Sequence, residues 1–189
     1  HNKNPYIECS MISENYLNYV DEKFGKLGLG VSLKCSAKDS ANYTESSQFS
    51  SSPKEKDYSN VYRWRSSSHP KLKEFNEWYS TGTKVWPEDI KLTPTVLKHW
   101  YCGDGSWSNS QYKNHISISM SNERKNLNKI DQMFKNVGLP SPNNYTICRR
   151  IDNSKSCTAE FTVEQSKKLW EYMGKPLPDF EYKWPEKYH

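Results

Sequence analysis

The feature that most limits what this chain can fold into is that it carries one pattern twice. The stretch "KNPYIECSMISENYLNYVDEKFGKLGL" (residues 3–29) resembles "KNHISISMSNERKNLNKIDQMFKNVGL" (113–139). Leu17, Asn18, Asp21, Phe24, Gly28 and Leu29 are matched by Leu127, Asn128, Asp131, Phe134, Gly138 and Leu139, all at a spacing of 110 residues. Self-similarity at a fixed spacing marks a structural unit used twice.

Each copy reads as a strand followed by an amphipathic helix. Ile116, Ile118 and Met120 alternate with Ser117, Ser119 and Ser121, and Ile7, Cys9 and Met11 alternate with Glu8 and Ser10, the period of a half-buried strand. Leu17, Val20, Phe24 and Leu27, like Leu127, Ile130, Phe134 and Val137, recur at helical spacing, and Gly28 and Gly138 stop the two helices. Two further strands follow in each half, "GVSLKC" (30–35) and "VYRWRS" (61–66) against "YTICRR" (145–150) and "AEFTVE" (159–164). Another helix comes next, "HPKLKEFNEWYS" against "QSKKLWEYMG", and each half closes on a lysine and a proline, Lys84-Val85-Trp86-Pro87 and Lys183-Trp184-Pro185. The expected fold is α+β: two pseudo-symmetric units, 1–90 and 91–189, whose antiparallel sheets carry helices on one face. The Ser-rich stretch 36–60, present in the first half alone, reads as a loop.

Hydrophobic residues make up only 34% of the chain, but 7 Trp and 13 Tyr supply enough apolar surface for a core. No run approaches the roughly 18 apolar residues of a membrane span, so no membrane partner is expected. The formal charge of +5 leans towards an acidic partner without proving one. The five cysteines show neither a C-x-x-C pair nor zinc spacing, which points to reduced thiols and an intracellular protein. Two N-x-T sequons, at Asn42 and Asn144, would matter only in a secreted chain. The chain begins with His, so a preceding segment is expected.

Thr93-Pro94 is a helix start, with a hydroxyl cap followed by proline in the first turn. Val96, Leu97, Trp100 and Tyr101 fall on one face, and the helix ends in Gly103-Asp104-Gly105. A carboxylate at that end meets the negative pole of the helix dipole, at a cost of up to about 1 kcal/mol. Either Asp-Gly is merely a turn, or Asp104 is a ligand for a hard divalent cation.

The arrangement "LTPTVLKHWYCGDGS", preceded by "GTKVWPEDI", resembles the second half of a LAGLIDADG homing endonuclease. Residues 97–105 match its nonapeptide, with Leu97 first, Cys102 where an acid usually stands, Gly103 the small residue, Asp104 the second acid and Gly105 last. The resemblance implies a motif helix over 94–105 that packs against a counterpart, below a saddle of strands lying on double-stranded DNA with a long asymmetric target. It implies Mg²⁺ held at Asp104 and Gly103, with catalytic roles for Asp104, Lys84 and Lys183. It also implies the activity of a site-specific, Mg²⁺-dependent double-strand endonuclease of intron or intein origin. Without the resemblance, Lys84 and Lys183 are surface lysines.

The chain departs from that family in one respect: the counterpart of residues 93–109 would lie before His1. The first motif helix is therefore expected from an upstream segment or a second chain. A polypeptide with one acid of the pair also fits a second reading, a LAGLIDADG-fold maturase or regulator that binds DNA or RNA without cutting.

If the apolar strand faces meet the helices, the opposite faces read DNA. That assigns to DNA Ser10, Ser32, Lys34, Ser36, Arg63, Arg65, Ser117, Ser119, Arg150 and Thr162, with Glu8 and Glu160 beside them. Arg63 and Arg65 are the strongest candidates, because adjacent guanidiniums on one strand face repel unless an anion is near. A slip of one residue would exchange the faces of any of these strands.

Overall fold

Two strand-and-helix pairs with the same C-terminal glycine caps anchor the two halves. In this computed structural model, residues 4–37, 61–79, 85–110, 113–149 and 155–189 are described, with backbone only for residues 31–37, Tyr79 and Lys113. The chain divides into two compact units at Ser80/Thr81. The first holds β1 (Glu8–Met11), α1 (Glu14–Lys26), β2 (Val31–Ala37), β3 (Val61–Ser66) and a 3-10 helix (Pro70–Tyr79). In the second, α2 (Pro94–Asp104) leads into β4 (Gly105–Ser110) and β5 (Lys113–Ser119). Then come α3 (Leu127–Asn136), β6 (Asn144–Arg149), β7 (Lys155–Glu160) and α4 (Val163–Met173). None of the described helices is long and apolar enough to cross a membrane.

Sheet order carries the repeat from sequence into structure. The antiparallel sheets run β1-β3-β2 and β4-β5-β7-β6, so β1, β3 and β2 of the first unit correspond to β5, β7 and β6 of the second. Cys9 pairs with Trp64 as Ile118 pairs with Ala159. The backbone bond of Ser66 N–H to the Ile7 carbonyl (2.9 Å) has its twin in Phe161 N–H to Ile116 (3.1 Å). Beyond this shared plan the second unit has α2 and β4 in front.

The matched glycines and aspartates have physical reasons. Gly28 and Gly138 take φ of 75° and 72°, a region that disfavours a Cβ. The amides of Leu29 and Leu139 thereby reach the carbonyls of Phe24 and Phe134, both at 3.0 Å, which closes each helix with a Schellman-type bond. Asp21 accepts from the Trp64 indole N–H (2.9 Å), and Asp131 accepts from the Tyr145 hydroxyl (2.7 Å). In each unit the helix acid thus pins an aromatic ring of the sheet.

Four local expectations need correcting. The strand expected at 159–164 is β7 at Lys155–Glu160, because Thr162 and Gln165 form a capping box that starts α4. Residues 70–79 form a 3-10 helix with Leu72 as its buried side chain; they have no such box, only a His69 Nδ1 that accepts from the Lys71 amide at 3.2 Å. β4 was not anticipated, and α2 stops at Asp104 rather than at 105. Most of the Ser-rich stretch 36–60 lies outside the described residues.

Burial separates the units. Ile116, Ile118 and Met120 of β5 and its extension are 0% exposed, as are Leu97, Phe134 and Leu169 of α2, α3 and α4. Their first-unit counterparts Ile7, Cys9 and Met11 are only half-buried. Beside β1 runs a groove of about 760 Å³ whose lining includes Tyr6, Ile7, Phe24, Leu29, Leu72 and Phe75. Tyr6 and Leu27 at its rim are 49% and 68% exposed, apolar surface that burial would stabilise by about 25 cal/mol per Å².

Candidate active site and sheet faces

The Thr93 hydroxyl accepts from the Val96 amide (3.2 Å), and Pro94 occupies the first turn, so α2 starts as its sequence dictates. Leu97, Tyr101 and Cys102 are buried. The Tyr101 hydroxyl donates to the Lys183 carbonyl at 2.8 Å, and its ring meets Trp184 edge-on at 4.9 Å. The helix end is shaped by close approach: a Cβ on Gly105 would overlap the Tyr101 ring and carbonyl, whereas one on Gly103 would meet open space. Gly105 is required by packing inside the unit. Gly103 and Asp104 lie exposed beside that fixed point.

Lys183 resolves the awkward polarity of this end. Its Nζ donates to the carbonyls of Cys102 and Gly105, both at 2.7 Å, while the residue is 8% exposed. A buried ammonium thus satisfies carbonyls that the helix leaves unpaired and offsets the dipole's negative pole. Burial holds the Lys183 pKa below the ordinary lysine value, opposed by its attraction to Cys102 and Asp104. Burial pushes the Cys102 thiol up to about 12, so it stays protonated and structural at neutral pH.

As a cation site, Asp104 supplies one hard carboxylate, and the neighbouring Cys102 and Gly105 carbonyls already accept from Lys183. Among the described residues no three His, Cys, Asp or Glu side chains converge. That donor set is wrong for a closed protein cage. It fits one side of a Mg²⁺ site, since Mg²⁺ is commonly held by one or two carboxylates together with phosphate oxygens and water. Lys84 lies outside the described residues.

On the first sheet, Glu8 pairs with Arg65 and Ser10 with Arg63, so these four share a face as expected. Glu8 is the anion that the paired arginines require. β2 is one residue out of the expected phase. Leu33 and Cys35, rather than Lys34 and Ser36, pair with Arg65 and Arg63; Lys34 and Ser36 pair with Trp64 and Tyr62, and the register shifts beside Ser32. On the second sheet, Ser117 pairs with Glu160 and Ser119 with Thr158. This face carries linked hydroxyls that sequence reasoning missed: Ser106 to Ser117 at 2.8 Å and Thr146 to Glu160 at 3.0 Å. The alternation in "GSWSNS" was the available signal for Ser106. Thr162 is not on this face; its side chain caps α4, accepting from the Gln165 amide at 3.2 Å. Arg150 lies outside the described residues.

Comparison with known proteins agrees with this geometry. Among solved structures, the homing endonuclease I-WcaI bound to its DNA recognition sequence is similar, with a TM-score of 0.65 and 12% identity over 97% of this chain and 76% of that one. The N-terminal LAGLIDADG domain of WhiA is similar with a TM-score of 0.55 and 14% identity, over 95% of this chain and 76% of that one. No curated protein matches the sequence. The family model of LAGLIDADG DNA endonucleases matches residues 1–141 of the 189. With that match over most of its length, and with α2 built as the motif requires, the chain belongs to the LAGLIDADG DNA endonuclease family.

Proposed function

We propose that the chain works as a site-specific homing endonuclease that binds a long asymmetric duplex and hydrolyses its phosphodiester bonds with Mg²⁺. The observation that carries this reading is the end of α2, where exposed Asp104 stands beside a buried Lys183 ammonium that donates 2.7 Å bonds to the adjacent carbonyls. Asp104 binds one face of Mg²⁺, and Lys183 keeps the helix end rigid and positive behind it. A Mg²⁺ ion held there would supply activation of water and stabilisation of charge on the leaving oxygen. Lys84, matched to Lys183 in the sequence repeat, is assigned the corresponding role toward the second acid.

A helix and strand equivalent to α2 and β4, supplied from outside these residues, cover half-buried Ile7, Cys9 and Met11 and bring the second acid. The contrast with fully buried Ile116, Ile118 and Met120 supports this. The test is duplex cleavage with Mg²⁺ by the chain supplemented with that segment, in one polypeptide or as a second chain. Asp104→Asn lowers cleavage by at least about 100-fold, the worth of several kcal/mol of charge stabilisation, and leaves binding intact. Normal cutting by the variant would remove Asp104 from the site. One observation favours a second reading, a binding protein without catalysis: a single motif acid is present among the described residues. Salt-dependent duplex binding with no cleavage even in the supplemented chain would decide for it.

A further inference from the structure

The first unit's sheet holds an acid that DNA binding alone does not call for. Glu8 lies on the face shared by Arg63, Arg65 and Ser10. Its Oε2 accepts from Arg65 Nε at 2.8 Å and lies 2.5 Å from Nη2. Its Oε1 is 3.7 Å from Arg63 Nε, a buried nitrogen without a hydrogen-bond partner. The Arg65 guanidinium stacks over the Tyr6 ring at 4.5 Å. The three charged side chains remain 33% to 43% exposed, so a ligand can reach them.

Two physical consequences follow. A carboxylate between two guanidiniums cuts their summed charge from two to one and repels a phosphate that approaches either, so these arginines are poor backbone anchors. A base edge carries no net charge and escapes most of that repulsion, and the acceptor pair O6/N7 of guanine matches the guanidinium fork. Glu8 on one edge of Arg65 and Tyr6 beneath it also fix the side chain before binding, which lowers the ordering cost. An exposed ion pair kept only for stability would contribute little. It would account neither for the stacking nor for the unsatisfied Arg63 nitrogen.

The second unit sharpens the contrast. By register, Ser117 stands where Glu8 does, Thr158 where Arg63 does and Glu160 where Arg65 does. Among the described residues the arginine–acid cluster stands on the first sheet alone. Resting on the DNA-binding reading above, we propose that Glu8 is a specificity-determining residue, which turns Arg63 and Arg65 away from phosphate and holds them for guanine in the half of the target that the first unit reads.

The experiment selects bound duplexes from a randomised library with the full chain and its Glu8→Gln and Arg65→Lys variants. Affinity for an unrelated duplex is then measured against salt, and melting curves show that each variant is folded. The wild type is expected to prefer guanine at one or two adjacent positions. Arg65→Lys keeps the charge but not the fork, so guanine preference falls about tenfold while affinity for unrelated DNA holds within about twofold. Glu8→Gln raises affinity for unrelated DNA several-fold, steepens its salt dependence and flattens the same preference. The proposal is overturned if either folded variant keeps every base preference of the wild type, or if Glu8→Gln weakens selected and unrelated DNA alike. Should Glu8→Gln not fold, Arg65→Lys decides alone. A wild type with no salt-dependent affinity for any duplex would sink the DNA-binding reading itself, a result separate from failure of the Glu8 assignment.

Discussion

The first unit buries Trp64 on the inner face of its sheet but leaves Ile7, Cys9 and Met11 half-buried; the second adds α2 and β4, and Ile116, Ile118 and Met120 vanish from solvent. The same strand order and the same glycine caps stand in both. The difference teaches that the motif helix is a structural member as well as the carrier of an acid. It completes one core, and in the first unit, whose described residues include no such helix, an apolar groove remains.

The largest test of this comparison is truncation at equivalent strand positions. Ile118→Ala should cost about 3 to 4 kcal/mol, as expected for a fully buried side chain, and Ile7→Ala about 1 kcal/mol, both read from urea unfolding. Equal costs would mean that the two sheet faces are equally covered. Next, Gly105→Ala should destabilise by about 3 kcal/mol through overlap with Tyr101, while Gly103→Ala changes stability by less than about 0.5 kcal/mol. An intact melting temperature for Gly105→Ala would break the account of the helix end.

Alkaline titration comes third. The Cys102 thiol keeps its proton in the folded protein up to about 12, against an ordinary value of 9.0. Its contribution is complete below 9, and between 9 and 12 the unfolded chain has lost a proton that the folded chain retains, so stability falls as pH rises. The loss is about 1.4 kcal/mol per pH unit in that window, and Cys102→Ala should make the slope shallower by that amount. Smallest is the cap: Thr162→Ala should cost about 1 kcal/mol, and His69→Ala in the matching place of the first unit no more than a few tenths. A reversed order would contradict the contrast between α4 and the 3-10 segment.

Much of this was legible in the sequence. The six identical pairs led to the repeat, Gly28 and Gly138 to the caps, and Thr93-Pro94 to α2, because each rests on a local rule of backbone geometry. What escaped depends on which segments pair and in what register, or on a capping signal that alternation outweighed. "GSWSNS" is rich in turn formers and is a strand only because β5 lies beside it. β2 slipped its expected phase through a register shift near Ser32, a change no composition records. Thr162 was placed in a strand because its apolar neighbours alternate, while the Gln165 three residues on was the stronger signal. For the candidate site, Asp104 and Lys183 were picked out, but not how they are joined. That Lys183 lies 2.7 Å from carbonyls about 80 positions earlier is a fact of folding alone.

That long reach sets an order of events during synthesis. Asp104 leaves the ribosome about 80 residues before Lys183, on a helix whose last carbonyls do not yet have that ammonium to bind. The ammonium that completes this end arrives when β5, β7 and α4 are already available to fold. A half-made chain therefore exposes the acid before the ammonium that completes its helix end has been made.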